Sequence, residues 1–212
     1  MIKIEKVSKI YKSRELSRVI FDEICLEIKN GDFYKLVGPN GSGKTTLLKL
    51  IRKIILPDTG KIILNNAVSL DEISLVSQNY RSFFLNLTVL DNLVFFSSLQ
   101  DKKINNFRGS IDFYLSSLDL IDKKNDYVST LSSGEIKKLS IIRGLLSKPK
   151  ILLLDEVTTS LDAETKVKII DFICKQNLEK NISVIWATHN PDEIKKDGAI
   201  TLEIKEKKIT KY

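Results

Sequence analysis

At 212 residues the chain is long for one domain and short for two, and a fold of this size buries roughly 70% of its unfolded surface, so one cooperative core is expected. Lysine and arginine number 34 against 27 acidic residues, a net charge of +7, but the densest basic run, KEKKITKY, alternates with apolar residues as an edge strand does, which discounts nucleic acid. MIKIEKVSKI has no charged region followed by an apolar run, so no signal peptide is expected, no apolar stretch reaches the roughly 20 residues that span a bilayer, and Cys25 and Cys174 lie far apart and are expected as small buried hydrophobes, so a cytosolic chain is expected whose membrane role would need a partner.

In chain order, KIEKV and VIFDEICLEI read as antiparallel strands, the turn KNGD comes next, and FYKLV is a short buried strand. KTTLLKLIRKI has helical periodicity and is punctuated by Pro57 and Gly60; GKIIL and ISLVS are further strands. From about 80 to 147 the pattern changes: TVLDNLVFFSSL and SIDFYLSSLDLI are amphipathic helices with no strand between them, a helical insertion. SSGEIKKLSIIRGLLSK is then a helix, KILLLD a fully buried strand, AETKVKIIDFICKQN a helix and NISVIWATH another buried strand. The alternation predicts an α/β fold: one domain over residues 1–212, with a mainly parallel core sheet, an N-terminal antiparallel β part and the inserted helices.

Gly38 to Thr45 fit G-x-x-x-x-G-K-[ST], a phosphate-binding loop between a strand and a helix. Its glycines let backbone amides converge on phosphate oxygens, and the helix after it adds the positive end of its dipole. The candidate nucleotide-binding set is Gly38, Pro39, Asn40, Gly41, Ser42, Gly43, Lys44, Thr45 and Thr46. Lys44 supplies a mobile charge to the β- and γ-phosphates and the Thr45 hydroxyl can ligate Mg²⁺. The second part such a site requires is an acid at the end of a buried strand. ILLLDE supplies Asp155 for Mg²⁺, and Glu156 next to it can polarise an attacking water. His189, the single histidine, ends the next buried strand and is expected at the same crevice, because parallel strands open their carboxyl ends onto one ligand site.

Between these motifs stands TLSSGEIKKLSIIRGLLSKPKILLLDE. With it the chain resembles the nucleotide-binding subunit of ATP-binding cassette (ABC) transporters, whose signature L-S-G-G-Q is here Leu131, Ser132, Ser133, Gly134 and Glu135. The likeness covers nearly the whole chain as six motifs in order. Independently of the family, Ser132 and Gly134 open a helix, where a hydroxyl and free amides make an anion site. The resemblance implies that two cassettes pair head to tail, each signature closing over the ATP held by the other, and that ATP and Mg²⁺ are the ligands. It also implies that Tyr11 stacks on adenine, that Gln78 senses metal and attacking water, and that Ser160, Leu161 and Asp162 communicate between paired sites. By the same resemblance Glu156 is the general base and His189 contacts the γ-phosphate.

Three positions depart from the family pattern. Ser133 adds a side chain where the backbone approaches phosphate, Glu135 replaces glutamine at a position expected to face solvent, and Val157 stands where proline is common. No catalytic group is deleted, so an active ATPase is expected. Phe83, Phe84 and Leu85 stand where the family's helical part receives a cytoplasmic helix of a membrane subunit. RSFF followed by LTVLDNLVFF looks most like ABC-2 exporters, and the extra regulatory domain of many importer ATPases is not expected. The expectation is an ATPase peripheral on the cytoplasmic face of a membrane, partnered by a second cassette and a membrane subunit. Two alternatives stand beside it: a soluble ABC ATPase acting on ribosomes or DNA, and a regulatory ATPase that moves no cargo. The absence of an NKxD motif speaks against a GTPase.

Overall fold

Strand β1 (Ile2–Lys12) lies between β2 (Ser17–Ile28) and β4 (Thr59–Leu64) in an antiparallel three-stranded sheet. The computed structural model describes residues 2–13, 16–65, 68–77, 83–99 and 107–212. Ile2, Ile4 and Val7 of β1 face inward, although an undisturbed period of two would turn Val7 outward. Two left-handed residues reconcile this: Lys6 (φ 46°) bulges β1 and Glu23 (φ 49°) bulges β2, and the two extra residues cancel in the register. After the second bulge Ile24 and Leu26 point in, so Cys25 points out and is exposed, not buried as its apolar neighbours suggested.

The larger sheet has the order β5-β6-β7-β3-β8-β9. Strands β3 (Phe33–Val37), β5 (Ile73–Val76), β6 (Ile151–Asp155), β7 (Ser183–Ala187) and β8 (Ile200–Lys205) are parallel. The basic tail forms β9 (Lys208–Lys211), an antiparallel edge strand reached through a tight turn with Glu206 and Lys207 at positive φ. Helix α1 (Lys44–Ile51) stops earlier than KTTLLKLIRKI suggests, because Arg52 caps it and Lys53 turns left-handed (φ 58°). The predicted insertion contains α2 (Val89–Ser98), α3 (Phe107–Ser117) and α4 (Ser133–Leu146), and α5 (Ala163–Lys180) comes after β6.

Both faces of β6 and β7 are covered, which explains their unbroken apolar runs. Leu152, Leu154, Val184 and Trp186 pack toward α2 to α5, while Ile151, Leu153, Ile185 and Ala187 pack toward α1 and the antiparallel sheet. The inserted helices share one apolar cluster with the sheet. A close approach occurs at Gly144 of α4, where an added Cβ would lie 2.7 Å from Val76. Among the described residues no helix is long and apolar enough to cross a membrane.

Candidate nucleotide site

The six residues between β3 and α1 form the glycine loop. Gly43 has φ 114°, and an added Cβ would meet Ile20 at 2.7 Å and Phe21 at 2.9 Å, so only glycine lets the loop pass β2 and enter the helix. Gly38 (φ 153°) is equally confined, with an added Cβ 2.9 Å from the Ile204 carbonyl oxygen. Lys44 is 5% exposed. Its ammonium folds back to donate to the Gly38 (2.8 Å) and Pro39 (3.2 Å) carbonyls and stands 3.4 Å from Glu156 Oε1. Ser42 Oγ is buried with no partner among the described residues, a donor left for a ligand of the loop.

The acids come from neighbouring strand ends. The Thr45 hydroxyl donates to Asp155, 2.8 Å from Oδ2 and 3.0 Å from Oδ1. Burial pushes the Asp155 carboxyl up, the Thr45 hydrogen bond opposes this, and the Glu156 charge adds to it. A hydroxyl and a carboxylate in contact are the hard oxygen donors that suit Mg²⁺. Glu156 takes a left-handed conformation (φ 51°) and its N–H donates to the Ala187 carbonyl at 3.0 Å, which swings its side chain toward the loop. His189, its side chain 54% exposed, lies just past β7 with Nδ1 3.8 Å from Glu156 Oε2. Because β6, β7 and β3 are adjacent, Lys44, Thr45, Asp155, Glu156 and His189 converge at one end of the sheet. Gln78 lies outside the described residues.

Tyr11 is 43% exposed on β1, with Lys9 over its ring at 5.7 Å. It pairs across the ladder with Arg18, whose guanidinium donates to the Gly41 carbonyl at 2.7 Å. Arg18 therefore ties β2, and through it the Tyr11 strand, to the phosphate loop, a link that no sequence motif marks.

Ser132 caps α4 by accepting from the Glu135 N–H at 3.2 Å, and the Glu135 carboxylate accepts from the Ser132 N–H at 2.7 Å, a reciprocal capping box. Glu135 is thus half-buried and engaged, contrary to the solvent-facing position expected for it. Ser133 is exposed, and Gly134 lies against Leu161. From the next turn Lys137, buried, donates to the Thr159 carbonyl and joins the signature helix to the loop that precedes α5. Asp162 caps α5 by accepting from the Thr165 N–H at 2.8 Å, so its carboxylate is committed to the helix end. Val157 is buried in the main apolar cluster, which suits an aliphatic side chain there. Among the described residues no hydrogen bond joins residues 131–135 to residues 38–45.

In the helical part, Phe83 packs edge-on against Phe96, within an aromatic group that includes Phe84 and Phe95. The Arg143 guanidinium of α4 lies 4.3 Å from the Phe83 ring and 4.7 Å from that of Phe96. Buried Asn92 fixes the Phe84 backbone from both sides, accepting from its N–H and donating to its carbonyl, each at 2.9 Å. Phe84, Leu85 and Phe95 remain substantially exposed, an apolar surface on the helical part.

Residues 21–159 match the family model described as ABC transporter. The methionine import ATP-binding protein MetN of Desulfitobacterium hafniense is 32% identical over 99% of this chain and 64% of its own length. MetN 1 of Bacillus cereus is 29% identical over 92% of this chain and 60% of its own length, so the chain spans less than two thirds of these relatives. Among solved structures, the dimeric post-hydrolysis ATP-binding cassette MJ0796 bound to ADP and Pi superposes with a TM-score of 0.88 at 26% identity, over 100% of this chain and 98% of that one. Clostridium perfringens cbiO1, part of the ABC transporter complex cbiONQ, gives 0.83 at 25% identity, over 99% and 86%.

Proposed function

This chain belongs to the ABC transporter family, and from that membership we propose that it binds and hydrolyses ATP with Mg²⁺ as one half of a cassette pair that drives a separate integral membrane subunit from the cytoplasmic face. The observation that supports this best is the meeting of Lys44, Thr45, Asp155, Glu156 and His189 at adjoining strand ends. When ATP enters, Lys44 exchanges the Gly38 and Pro39 carbonyls and the Glu156 carboxylate for phosphate oxygens. Glu156 is thereby released to accept a hydrogen bond from the attacking water, with His189 beside it. Thr45 and Asp155, with Gln78, would hold Mg²⁺, which supplies charge neutralisation on the phosphates when bound.

At the signature, Glu135 already occupies the Ser132 amide and Ser132 Oγ serves the same capping box, so the donors left for a partner cassette's phosphate are the amides of Ser133 and Gly134. The exposed Phe84, Leu85 and Phe95 surface is the docking face for the membrane subunit in this reading. Export of the ABC-2 type finds no support in relatives named for methionine import and is withdrawn. Direction and cargo belong to the membrane subunit.

The test is purification of tagged Glu156→Gln protein from native membranes in mild detergent with Mg-ATP. A polytopic membrane protein in stoichiometric amount is expected. Ribosomal or nucleic-acid components without one would overturn the proposal in favour of a soluble ATPase, and a membrane partner that supports no cargo flux would favour a regulatory one.

A further inference from the structure

At the end of the sheet opposite the phosphate loop, the segments entering β6 and β7 run close together. With α3 they line a cavity of about 400 Å³, within the range of roughly 300 to 1,000 Å³ typical of small-ligand sites. Its floor is apolar: Leu145, Leu146 and Ile182 are buried, as is the body of Tyr114. Its rim is basic, with Lys148, Lys150 and Lys180 all exposed.

Helices α4 and α5 both finish here, each with a left-handed residue close behind it, Lys148 (φ 50°) and Asn181 (φ 53°), that turns the chain toward its strand. Lysines near helix C-termini commonly do no more than answer the negative ends of the dipoles. Lys180 does something different. Its ammonium donates to the Tyr114 hydroxyl at 2.7 Å and stands 4.7 Å from the centroid of that ring. Among the described residues no carboxylate lies within 4 Å of it, whereas Lys150 is paired with Glu72 at 2.8 Å. A positive charge is thus held at the mouth of an apolar pocket by a hydroxyl.

We propose that this cavity binds a small amphipathic carboxylate, its apolar body on the Leu145, Leu146 and Tyr114 floor and its charge on the lysine rim. A monoanion fits better than a phosphate, because the converging carbonyl ends of two helices oppose a doubly charged group. Lysines also provide point charges, not the planar fork that matches phosphate bidentately. The pocket is separate from the nucleotide site but shares α4 with the signature. That helix runs from the cap at Ser132 to the pocket floor, 14 residues, or about 21 Å at 1.5 Å per residue.

The experiment is calorimetric titration of the whole chain with 4-phenylbutyrate and its neutral counterpart 4-phenylbutan-1-ol, with Mg-ATP binding measured on the same samples. Saturable one-to-one binding of the acid is expected, with the alcohol roughly tenfold weaker for loss of all rim pairing, and Lys180→Met weakening the acid about threefold, the scale of one exposed ion pair. Ser110→Trp, a change at a half-buried lining position on α3, is expected to block binding while ATP affinity stays at the wild-type value. Equal affinity for acid and alcohol, non-saturating binding, or binding untouched by Ser110→Trp would overturn the assignment, the last by placing the probe on the exposed aromatic surface of the helical part. Loss of ATP binding by the wild-type chain would count against the proposed function and leave this site standing.

Discussion

Replacing Glu135 by glutamine restores the residue found in the family's signature, yet the structure predicts that it destabilises this protein. The Glu135 carboxylate accepts from the Ser132 N–H at 2.7 Å and lies in the first turn of α4, where a negative charge also meets the positive helix end. An amide oxygen keeps the acceptor and loses the charge, which at such a partly exposed site is worth about 0.5 to 1 kcal/mol. In a chain of this length that is a fall in Tm of roughly 1 to 4 °C at pH 7. The Ser132 N–H holds the Glu135 carboxyl below its ordinary value of 4.5. A depressed carboxylate contributes stability that is present above the unfolded-state pKa and is lost as pH falls through the depressed folded value. The gap between wild type and Glu135→Gln should therefore be full at pH 7 and narrow below about pH 4.5, where a protonated carboxyl and an amide are equivalent acceptors. Thermal melts of both proteins across roughly pH 3 to 7 read this directly. A variant as stable as wild type at pH 7, or a gap that persists unchanged in acid, would refute the reasoning.

The same geometry leads to three further outcomes. Asp155→Asn removes a charge that burial disfavours and Glu156 repels, so the ligand-free protein should rise in Tm while Mg²⁺-dependent ATP hydrolysis, measured by phosphate release, is lost. Gly144→Ala gains about 1 kcal/mol of helix propensity but forces a methyl to within 2.7 Å of Val76, an overpacking cost of roughly 1 to 3 kcal/mol, so urea unfolding should show a net loss of stability. Arg18→Ala frees the Gly41 carbonyl and should weaken ATP binding about fivefold, the equivalent of one hydrogen bond of ~1 kcal/mol, with Arg18→Lys restoring part of it in equilibrium titrations.

The parts of the fold legible in the sequence are those that local pattern decides. Strands β3, β6 and β7 are apolar through most of their length because both sheet faces are covered, and the glycine loop reads from spacing because Gly43 and Gly38 occupy backbone positions that a Cβ would block. Where the structure departs from the local pattern, a contact or a bulge intervenes. Cys25 is exposed because the bulge at Glu23 resets the alternation of β2, and α1 ends early because Arg52 and Lys53 close it. The engagement of Glu135 does carry a local mark, since a serine such as Ser132 with an acid three residues later, before an apolar run, is a capping box. Arg18 at Gly41, Lys137 at Thr159 and Arg143 between Phe83 and Phe96 carry no such local mark. Each is a long side chain whose partner is set by tertiary placement alone.

Central to the proposed function is Glu156 as the group that activates water in a site built to bind ATP, and steady-state phosphate release by the wild-type chain and Glu156→Gln, with ATP affinity measured in parallel, tests it most directly. The wild-type chain should hydrolyse Mg-ATP, and Glu156→Gln should bind ATP at least as tightly while turning over on the order of 10²-fold to 10³-fold more slowly, the scale set by losing one positioned catalytic group. Hydrolysis by Glu156→Gln at the wild-type rate would contradict the assignment, and failure of the wild-type chain to bind Mg-ATP would contradict the site as a whole.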